Sequence, residues 1–256
     1  MPVGALPALR ARLDRALIAL DYDGTLAPVV ADPARARPLA GVVAVLTELA
    51  PRVGRLAILT GRPARFVALV GGLATVPGLV VLGQYGAERW QAGELTVRPA
   101  LPGLARARAA LADLPHGAAL EDKGSALAVH TRSAADPAGL LAGLGPRLER
   151  LAAATGLECH LGRFVLELRP PGDDKGRALR TLLDPLPSGV LYAGDDLGDL
   201  PAFAELDNLA GREGLALPVL RVCSDSAEAP PGLRARADLL VDGPPGVLAL
   251  LRSLLP

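Results

Sequence analysis

Asp21-Tyr22-Asp23-Gly24-Thr25-Leu26 follows directly on the apolar run Ala16-Leu17-Ile18-Ala19-Leu20, and the reading of this junction decides the fold. A short apolar run closed by Asp and Gly reads as a buried strand of a parallel sheet that ends in a loop. Ligands of open α/β sheets collect at the carboxyl ends of such strands. Two acids set two residues apart at that end repel each other unless a cation or a shared proton compensates. A purely structural turn has no reason to carry that cost. The competing reading is an Asx-type turn after a core strand, where Asp and Gly are common.

Working outward, three further segments fit the same sheet. Arg55-Leu56-Ala57-Ile58-Leu59-Thr60-Gly61-Arg62-Pro63 is an apolar strand ending in a hydroxyl, a glycine and a base, with Pro63 placed to open a helix. Asp174-Lys175-Gly176-Arg177-Ala178-Leu179 reads as a helix start, where a lysine adds to the anion-attracting field of the backbone N–H groups. Leu191-Tyr192-Ala193-Gly194-Asp195-Asp196-Leu197-Gly198-Asp199 is again a strand running into acids, and oxygen donors of this kind suit a hard cation such as Mg²⁺. Taken singly, Thr60 reads as a helix cap, Lys175 as a solvated lysine and the Asp cluster as a surface turn.

Between these segments strand and helix patterns alternate. Helical spacing of Val42, Val45, Leu46 and Leu49 marks 38–50, the strand ending at Thr60 follows, then a helix over 63–70 and a strand over 79–82. After Gly93 the order changes to a helix near 101–114, strands near 118–121 and 126–131, a helix over 137–154, and strands at 157–160 and 164–168. The first pattern then resumes, with a helix from Asp174 to Leu183, a strand over 190–193 and further units around 218–223 and 238–241. This order predicts an α/β fold: a Rossmann-like parallel-sheet core in two parts, 1–98 and 173–256, with an inserted α+β domain at 99–172.

Composition narrows the function class. The chain has 256 residues, half of them hydrophobic, which is ample for a core. Lys plus Arg and Asp plus Glu both total 27, so no excess positive field points to nucleic acid or to a membrane surface. No apolar run reaches the ~18 residues of a membrane span, and the first residues lack the pattern of a cleavable leader. Cys159 and Cys223 lie far apart without metal-ligand spacing, which suits reduced thiols. The expectation is a cytoplasmic monomer acting on a small molecule, with no nucleic-acid or membrane partner.

The Asp-x-Asp-Gly-Thr string at 21–25 resembles the nucleophile motif of the haloacid dehalogenase superfamily, whose members mostly transfer phosphoryl groups through an aspartyl-phosphate. On that resemblance Asp21 attacks phosphorus, and Asp23 protonates the leaving alcohol and later takes a proton from water. Gly24 lets the backbone approach a phosphate closely, and the Thr25 hydroxyl holds the turn. Thr60 and Lys175 stabilise the phosphoryl oxygens. Asp21, the backbone carbonyl of Asp23 and Asp195 hold Mg²⁺, with Asp196 and Asp199 as nearby partners. The insertion at 99–172 matches the α/β cap of one superfamily branch, a lid that supplies substrate contacts.

Asp-Tyr-Asp-Gly-Thr-Leu-Ala-Pro at 21–28, Thr-Gly-Arg at 60–62, Glu-x-Lys through His-x-Arg from Glu121 to Arg132, Glu-x-Arg-Pro at 167–170 and Gly-Asp-Asp at 194–196 narrow the resemblance to the trehalose-6-phosphate phosphatases. The likeness implies that a small sugar phosphate is the substrate. It implies that Glu121, Lys123 and Glu167 hydrogen-bond sugar hydroxyls, that Arg132 and Arg163 support the sugar or phosphate end, and that Gly61 and Arg62 lie at the substrate cleft. Three departures stand out. Gly83-Gln84-Tyr85-Gly86 replaces the usual Gly-x-His-Gly, Arg163 stands where a lysine is frequent, and Leu197-Gly198-Asp199-Leu200 lacks a hydroxyl and an acid. Phosphatases for sucrose phosphate or mannosylglycerol-type phosphates, a phosphomutase, and a sugar-phosphate-binding module without catalysis remain the alternatives. None of His116, His130 and His160 is assigned a catalytic role.

Overall fold

The computed structural model describes residues 4–30, 32–162, 164–212, 217–227 and 229–255. In chain order it runs α1 (Ala5–Arg10), β1 (Leu17–Leu20), α2 (Val42–Leu49), β2 (Arg55–Leu59), β3 (Val80–Gly83), β4 (Glu88–Gln91) and β5 (Glu94–Val97). Then come α3 (Pro102–Ala110), β6 (Ala119–Asp122), β7 (Leu127–His130), α4 (Pro137–Thr155), β8 (Glu158–Gly162) and β9 (Val165–Arg169). The chain continues with α5 (Lys175–Arg180), β10 (Val190–Gly194), α6 (Leu200–Ala210), β11 (Val219–Asp225), α7 (Pro231–Arg236), β12 (Leu239–Asp242) and α8 (Gly243–Ser253). It divides into two compact units, 1–96 with 174–256 and 97–173.

In the first unit, one sheet runs β12-β11-β10-β1-β2-β3-β4-β5 among the described residues. The pairs from β12 to β3 are parallel, and β3–β4 is antiparallel. Each central strand is apolar on both faces because each face is covered. Ile18 and Leu20 of β1, Leu56 and Ile58 of β2, and Leu191 and Ala193 of β10 pack into one cluster with Val45, Leu46 and Leu49 of α2 and Val247 and Leu251 of α8. Their alternates Leu17, Ala19, Ala57, Leu59, Val190 and Tyr192 pack on the other face with Leu179 of α5, Phe203 and Leu206 of α6, and Leu233 of α7. All four residues of β1 are fully buried, each burial being worth about 1.5–3 kcal/mol for a large aliphatic side chain. The fold is therefore α/β, a mostly parallel sheet between two helical layers, as its sequence pattern indicates.

Two local features depart from the sequence reading. The predicted helix over 63–70 closes as a π-helical turn, Phe66–Val70. The antiparallel hairpin β4–β5 was not anticipated. Its turn holds Ala92 at φ 51° and Gly93 at φ 86°, a conformation usually signalled by Asn or Asp before Gly, and alanine carries no such signal.

In the second unit, β6-β7-β9-β8 form an antiparallel sheet. Leu127, Val129, Leu166 and Leu168 pack against Leu104 and Ala107 of α3 and Leu144, Leu148 and Ala152 of α4. Strand alternation sends Glu121, Ala128, Glu167 and His160 to the opposite face, where the register aligns them in one cross-strand row. Arg98 pairs with the buried Asp173, tying the ends of the unit. Among the described residues no helix is long and apolar enough to cross a membrane.

Candidate active site

β1 pairs with β2 on one side and with β10 on the other, so the strand order reverses at β1. Such a reversal opens a crevice at the carboxyl ends of the flanking strands, and ligands of α/β sheets bind there. Asp21 leaves β1 at this point and its N–H donates to Ala193 O at 2.8 Å, which draws it against the end of β10 and the following Asp195. Carboxylate oxygens of Asp21, Asp195 and Asp199 all lie within 4.8 Å of one another.

Lys175, the first residue of α5, points its ammonium into this group. Its Nζ donates to Asp21 Oδ1 at 2.6 Å and to Asp199 Oδ1 at 2.7 Å, and the lysine is almost fully buried. The N-cap carboxylate of Asp174 accepts from Arg177 N at 2.7 Å, fixing where α5 starts and hence where Lys175 emerges. Asp199 is held on both oxygens. Oδ1 also accepts from Tyr192 Oη at 2.5 Å, and Oδ2 accepts from the N–H groups of Asp195 and Asp196 at 2.9 and 3.1 Å. It braces both the lysine and the loop that carries Asp195.

Electrostatics at the site leave an excess of negative charge. Burial raises the Asp21 carboxyl well above its usual range, Lys175 opposes that rise, and Asp199 and Asp195 add to it. Burial, then Asp199 and Asp196, push Asp195 up to about 8. Burial alone would lower Lys175, but Asp199 and Asp21 outweigh it and hold the ammonium well above the ordinary lysine value. With all three carboxyls ionised against one ammonium the group would carry two negative charges, the quantity one divalent cation neutralises. An all-oxygen donor set with that charge fits Mg²⁺.

Two glycines make the close approach possible. A Cβ on Gly24 would lie 2.0 Å from Asp195 Oδ2, and one on Gly194 would lie 2.2 Å from Asp199 Cγ. Gly24 thus admits a carboxylate from a distant strand, and its φ of +74° is a second reason for glycine. Gly24→Ala is expected to destabilise the protein by about 1–3 kcal/mol in urea unfolding and to weaken Mg²⁺ binding in a calorimetric titration. Unchanged values in both measurements would separate Gly24 from Asp195.

The turn at 21–27 is held by backbone bonds from Gly24 N to Ala27 O and from Leu26 N and Ala27 N to Tyr22 O. The Thr25 hydroxyl, expected to hold it, is buried and has no hydrogen-bond partner among the described residues. Ser224 of β11 supplies an anchor instead, its buried hydroxyl donating to Gly24 O at 2.6 Å. The sequence carries no sign of these roles for Ser224 and Tyr192, because a Ser and a Tyr inside apolar strands signal nothing beyond strand propensity.

The other expected residues divide. Thr60, buried at the end of β2, accepts from Arg62 N at 3.1 Å through its hydroxyl, and its backbone accepts from Tyr85 N. Gly61 leaves room for the Tyr85 phenol, 2.7 Å from where a Cβ would sit. Gln84 and Tyr85 take left-handed φ values of 49° and 56°, an unusual backbone for side-chain-bearing residues. Arg62 grips Asp23 through Nε and Nη2, the latter at 2.7 Å from Oδ1. Asp196 stands outside the three-acid group, its Oδ1 accepting from Gly198 N at 2.8 Å as a helix cap.

In the second unit Lys123 Nζ donates to Glu167 Oε1 at 2.8 Å, and Glu121 Oε2 lies 2.8 Å from His130 Nε2. Arg132 is exposed in the turn after β7, and Arg163 lies outside the described residues. His160, set aside in the sequence, joins the same polar row. Its Nδ1 accepts from Arg169 Nη2 at 3.0 Å, and burial followed by the Arg169 charge keep the ring below its ordinary pKa.

The family model for trehalose-phosphatase matches residues 19–230, which spans both units and every acid described above. The chain belongs to the trehalose-phosphatase family. It is 36% identical over 222 residues to a trehalose-phosphate phosphatase of Mycobacterium marinum, matching 80% of this chain and 54% of that protein. A trehalose-phosphate phosphatase of Mycobacterium avium is 37% identical over 219 residues, 78% of this chain and 53% of the relative. The chain thus spans about half the length of these curated family members. Among solved structures, the C-terminal domain of a Candida albicans trehalose-6-phosphate phosphatase superimposes with a TM-score of 0.80 at 22% identity, covering 99% of this chain and 96% of that one, a likeness of fold. The crystal structure of a trehalose-6-phosphate phosphatase related protein gives a TM-score of 0.71 at 25% identity, covering 93% and 96%.

Proposed function

We propose that this family member hydrolyses trehalose 6-phosphate to trehalose and inorganic phosphate in the presence of Mg²⁺. The observation that carries the proposal is the contact of Lys175 with Asp21 at 2.6 Å, both buried, beside the half-buried Asp195: a nucleophile, a phosphoryl-binding cation and a metal-binding acid in one group. The Asp21 carboxylate forms a bond to phosphorus as the bond to the sugar oxygen breaks. Asp23 gives that oxygen its proton, then takes one from the water that opens the aspartyl-phosphate. Lys175 and Thr60 offer donors to the phosphoryl oxygens, whose negative charge grows in phosphoryl transfer. Asp21, the Asp23 carbonyl and Asp195 would hold Mg²⁺, with Asp196 beside them, and the bound ion supplies positive charge opposite the phosphoryl oxygens. Asp199, with four hydrogen bonds accepted, serves to position Lys175 and the Asp195 loop.

Glu121, Lys123 and Glu167 are proposed to hydrogen-bond the sugar hydroxyls, and Arg132 and Arg163 to support the sugar or phosphate end. Specificity then resides in 99–172, the segment proposed as a cap inserted in the core of 1–98 and 173–256. Cys159 and Cys223 are both free thiols, which supports a reducing, cytoplasmic setting.

Phosphate release measured across trehalose 6-phosphate, sucrose phosphate, a mannosylglycerol-type phosphate and glucose phosphates tests the reading. The expected result is Mg²⁺-dependent release, fastest from trehalose 6-phosphate. Faster release from another sugar phosphate reassigns the substrate, and no release from any member leaves a sugar-phosphate-binding module. Glu121→Ala and Lys123→Ala are each expected to lower kcat/KM for trehalose 6-phosphate about 10-fold or more, while sparing an aryl phosphate that has no hydroxyls to grip. Equal losses on both substrates would remove the specificity role.

A further inference from the structure

The loops after β1 and β2 are neighbours because those strands pair in parallel, Leu20 opposite Ile58. Asp23 of the first loop and Arg62 of the second meet there in a fork, both Asp23 oxygens engaged by Nε and Nη2 of one guanidinium. Such a bidentate pair fixes orientation as well as distance. Arg62 is itself restrained on its remaining sides. Its Nη1 donates to Pro33 O at 2.7 Å, its guanidinium carbon stands 4.8 Å from the centre of the Phe66 ring, and the fully buried Tyr22 ring lies 5.9 Å away. Phe66 begins the π-helical turn that departs from the predicted helix, so this irregular turn carries the ring on which Arg62 rests. The Arg62 backbone N–H is tied to the Thr60 hydroxyl at 3.1 Å, and its carbonyl accepts from Gln84 N at 2.9 Å, within the strained 84–85 turn.

We infer that Arg62 is a positioning residue for the Asp23 acid–base step, acting through the Asp23 carboxyl rather than by direct contact with the sugar. The inference rests on the phosphatase reading above. In that reaction the Asp21 oxygen bonds to phosphorus while the bond to the sugar oxygen breaks and the Asp23 proton passes to that oxygen. In the second half, water attacks phosphorus, its proton returns to Asp23, and the Asp21–phosphorus bond breaks. The same carboxyl must face the same point in both halves. Side-chain rotation of a partly exposed Asp would dilute that geometry, and a restrained guanidinium fork removes the freedom.

A double-mutant cycle between Arg62 and Asp23 tests the inference, with phosphate release from trehalose 6-phosphate and from a good-leaving-group aryl phosphate as readouts. Wild-type Mg²⁺-dependent release is measured first, and its absence on both substrates defeats the phosphatase reading rather than the role of Arg62. With wild-type activity in hand, Arg62→Ala is expected to lower kcat on the sugar phosphate roughly 30-fold, a share of the ~10²–10⁴ that acid–base catalysis contributes. In an Asp23→Asn background the same change is expected to matter less than about 3-fold, because the group it positions is already disabled. The aryl ester, whose leaving group needs no proton, is expected to show a burst of phenol release in Arg62→Ala equal to that of the wild type.

Arg62→Lys offers one ammonium in place of a fork and is expected to recover only part of the loss. Arg62→Gln, which keeps part of the stem and one neutral NH2 group, guards against misfolding and is expected to fall between Ala and Lys. Full multiplicative losses in the Asp23→Asn background, a rise in KM with kcat unchanged, or faster turnover in Arg62→Ala would each overturn the inference.

Discussion

Asp21→Asn is expected to abolish phosphate release while the protein stays folded. The amide keeps the shape of the carboxylate, and β1, the Asp21 N–H bond to Ala193 and the two apolar clusters are untouched. What disappears is the nucleophile, and losing a covalent nucleophile costs about 10⁴-fold or more in kcat. Stability moves little or upward without metal, because burial and the neighbouring acids raise the Asp21 carboxyl, which means its charge opposes folding at neutral pH. Steady-state phosphate release and urea unfolding of the metal-free protein check the two halves. A near-normal rate would remove Asp21 from the chemistry.

Lys175→Met is expected to have the largest effect on stability. Two carboxylates, Asp21 and Asp199, then lose the ammonium they share in a buried site, and breaking a buried ion pair by removing one partner costs about 3–5 kcal/mol. In the wild type Lys175 titrates above its ordinary value, so its contribution is complete below the ordinary lysine range and fades only as pH rises through the higher folded value. The variant behaves the other way. Its Asp21 carboxyl, already raised by burial, loses the ammonium that opposes that rise and is penalised when charged and relieved when protonated, so the deficit is expected to be full at about pH 8 and to shrink towards about pH 5. Urea unfolding at both ends of that window reads the trend. Activity is expected to fall at least ~10²–10³-fold, the scale of removing one donor from a developing anion. A deficit independent of pH would mean that lost packing dominates.

The legibility of this chain follows from the range of the interactions concerned. β1, β2 and β10 were visible because each is a local apolar run ending abruptly in Asp or Thr, and burial on both faces leaves that run uninterrupted. Lys175 and Asp195 stood out only as members of an ordered set of motifs, since neither segment alone shows that they converge on Asp21 across 154 and 174 residues. What escaped was contact chemistry between loops. Gly24 looked like an approach to phosphate, yet its near neighbour is the Asp195 carboxylate. Asp196 and Asp199 read alike as partners of Asp195, but the backbone makes Asp196 a cap while Asp199, four residues on from Asp195, accepts from the N–H groups of the loop and joins the acid group. Arg62 looked like a substrate contact, and only the parallel pairing of β1 with β2 brings it to Asp23. The β4–β5 hairpin stayed hidden because Ala92 adopts a backbone its side chain does not favour.

The central claim is that the Asp21 carboxylate takes the phosphoryl group. Rapid acid quenching of the protein during turnover of trehalose 6-phosphate with Mg²⁺, followed by peptide mass analysis, tests it most directly. A transient phosphoryl adduct on the peptide bearing Asp21, absent from Asp21→Asn, is the expected result. Steady turnover with no adduct on that peptide at any time, or an adduct on another residue, would contradict it.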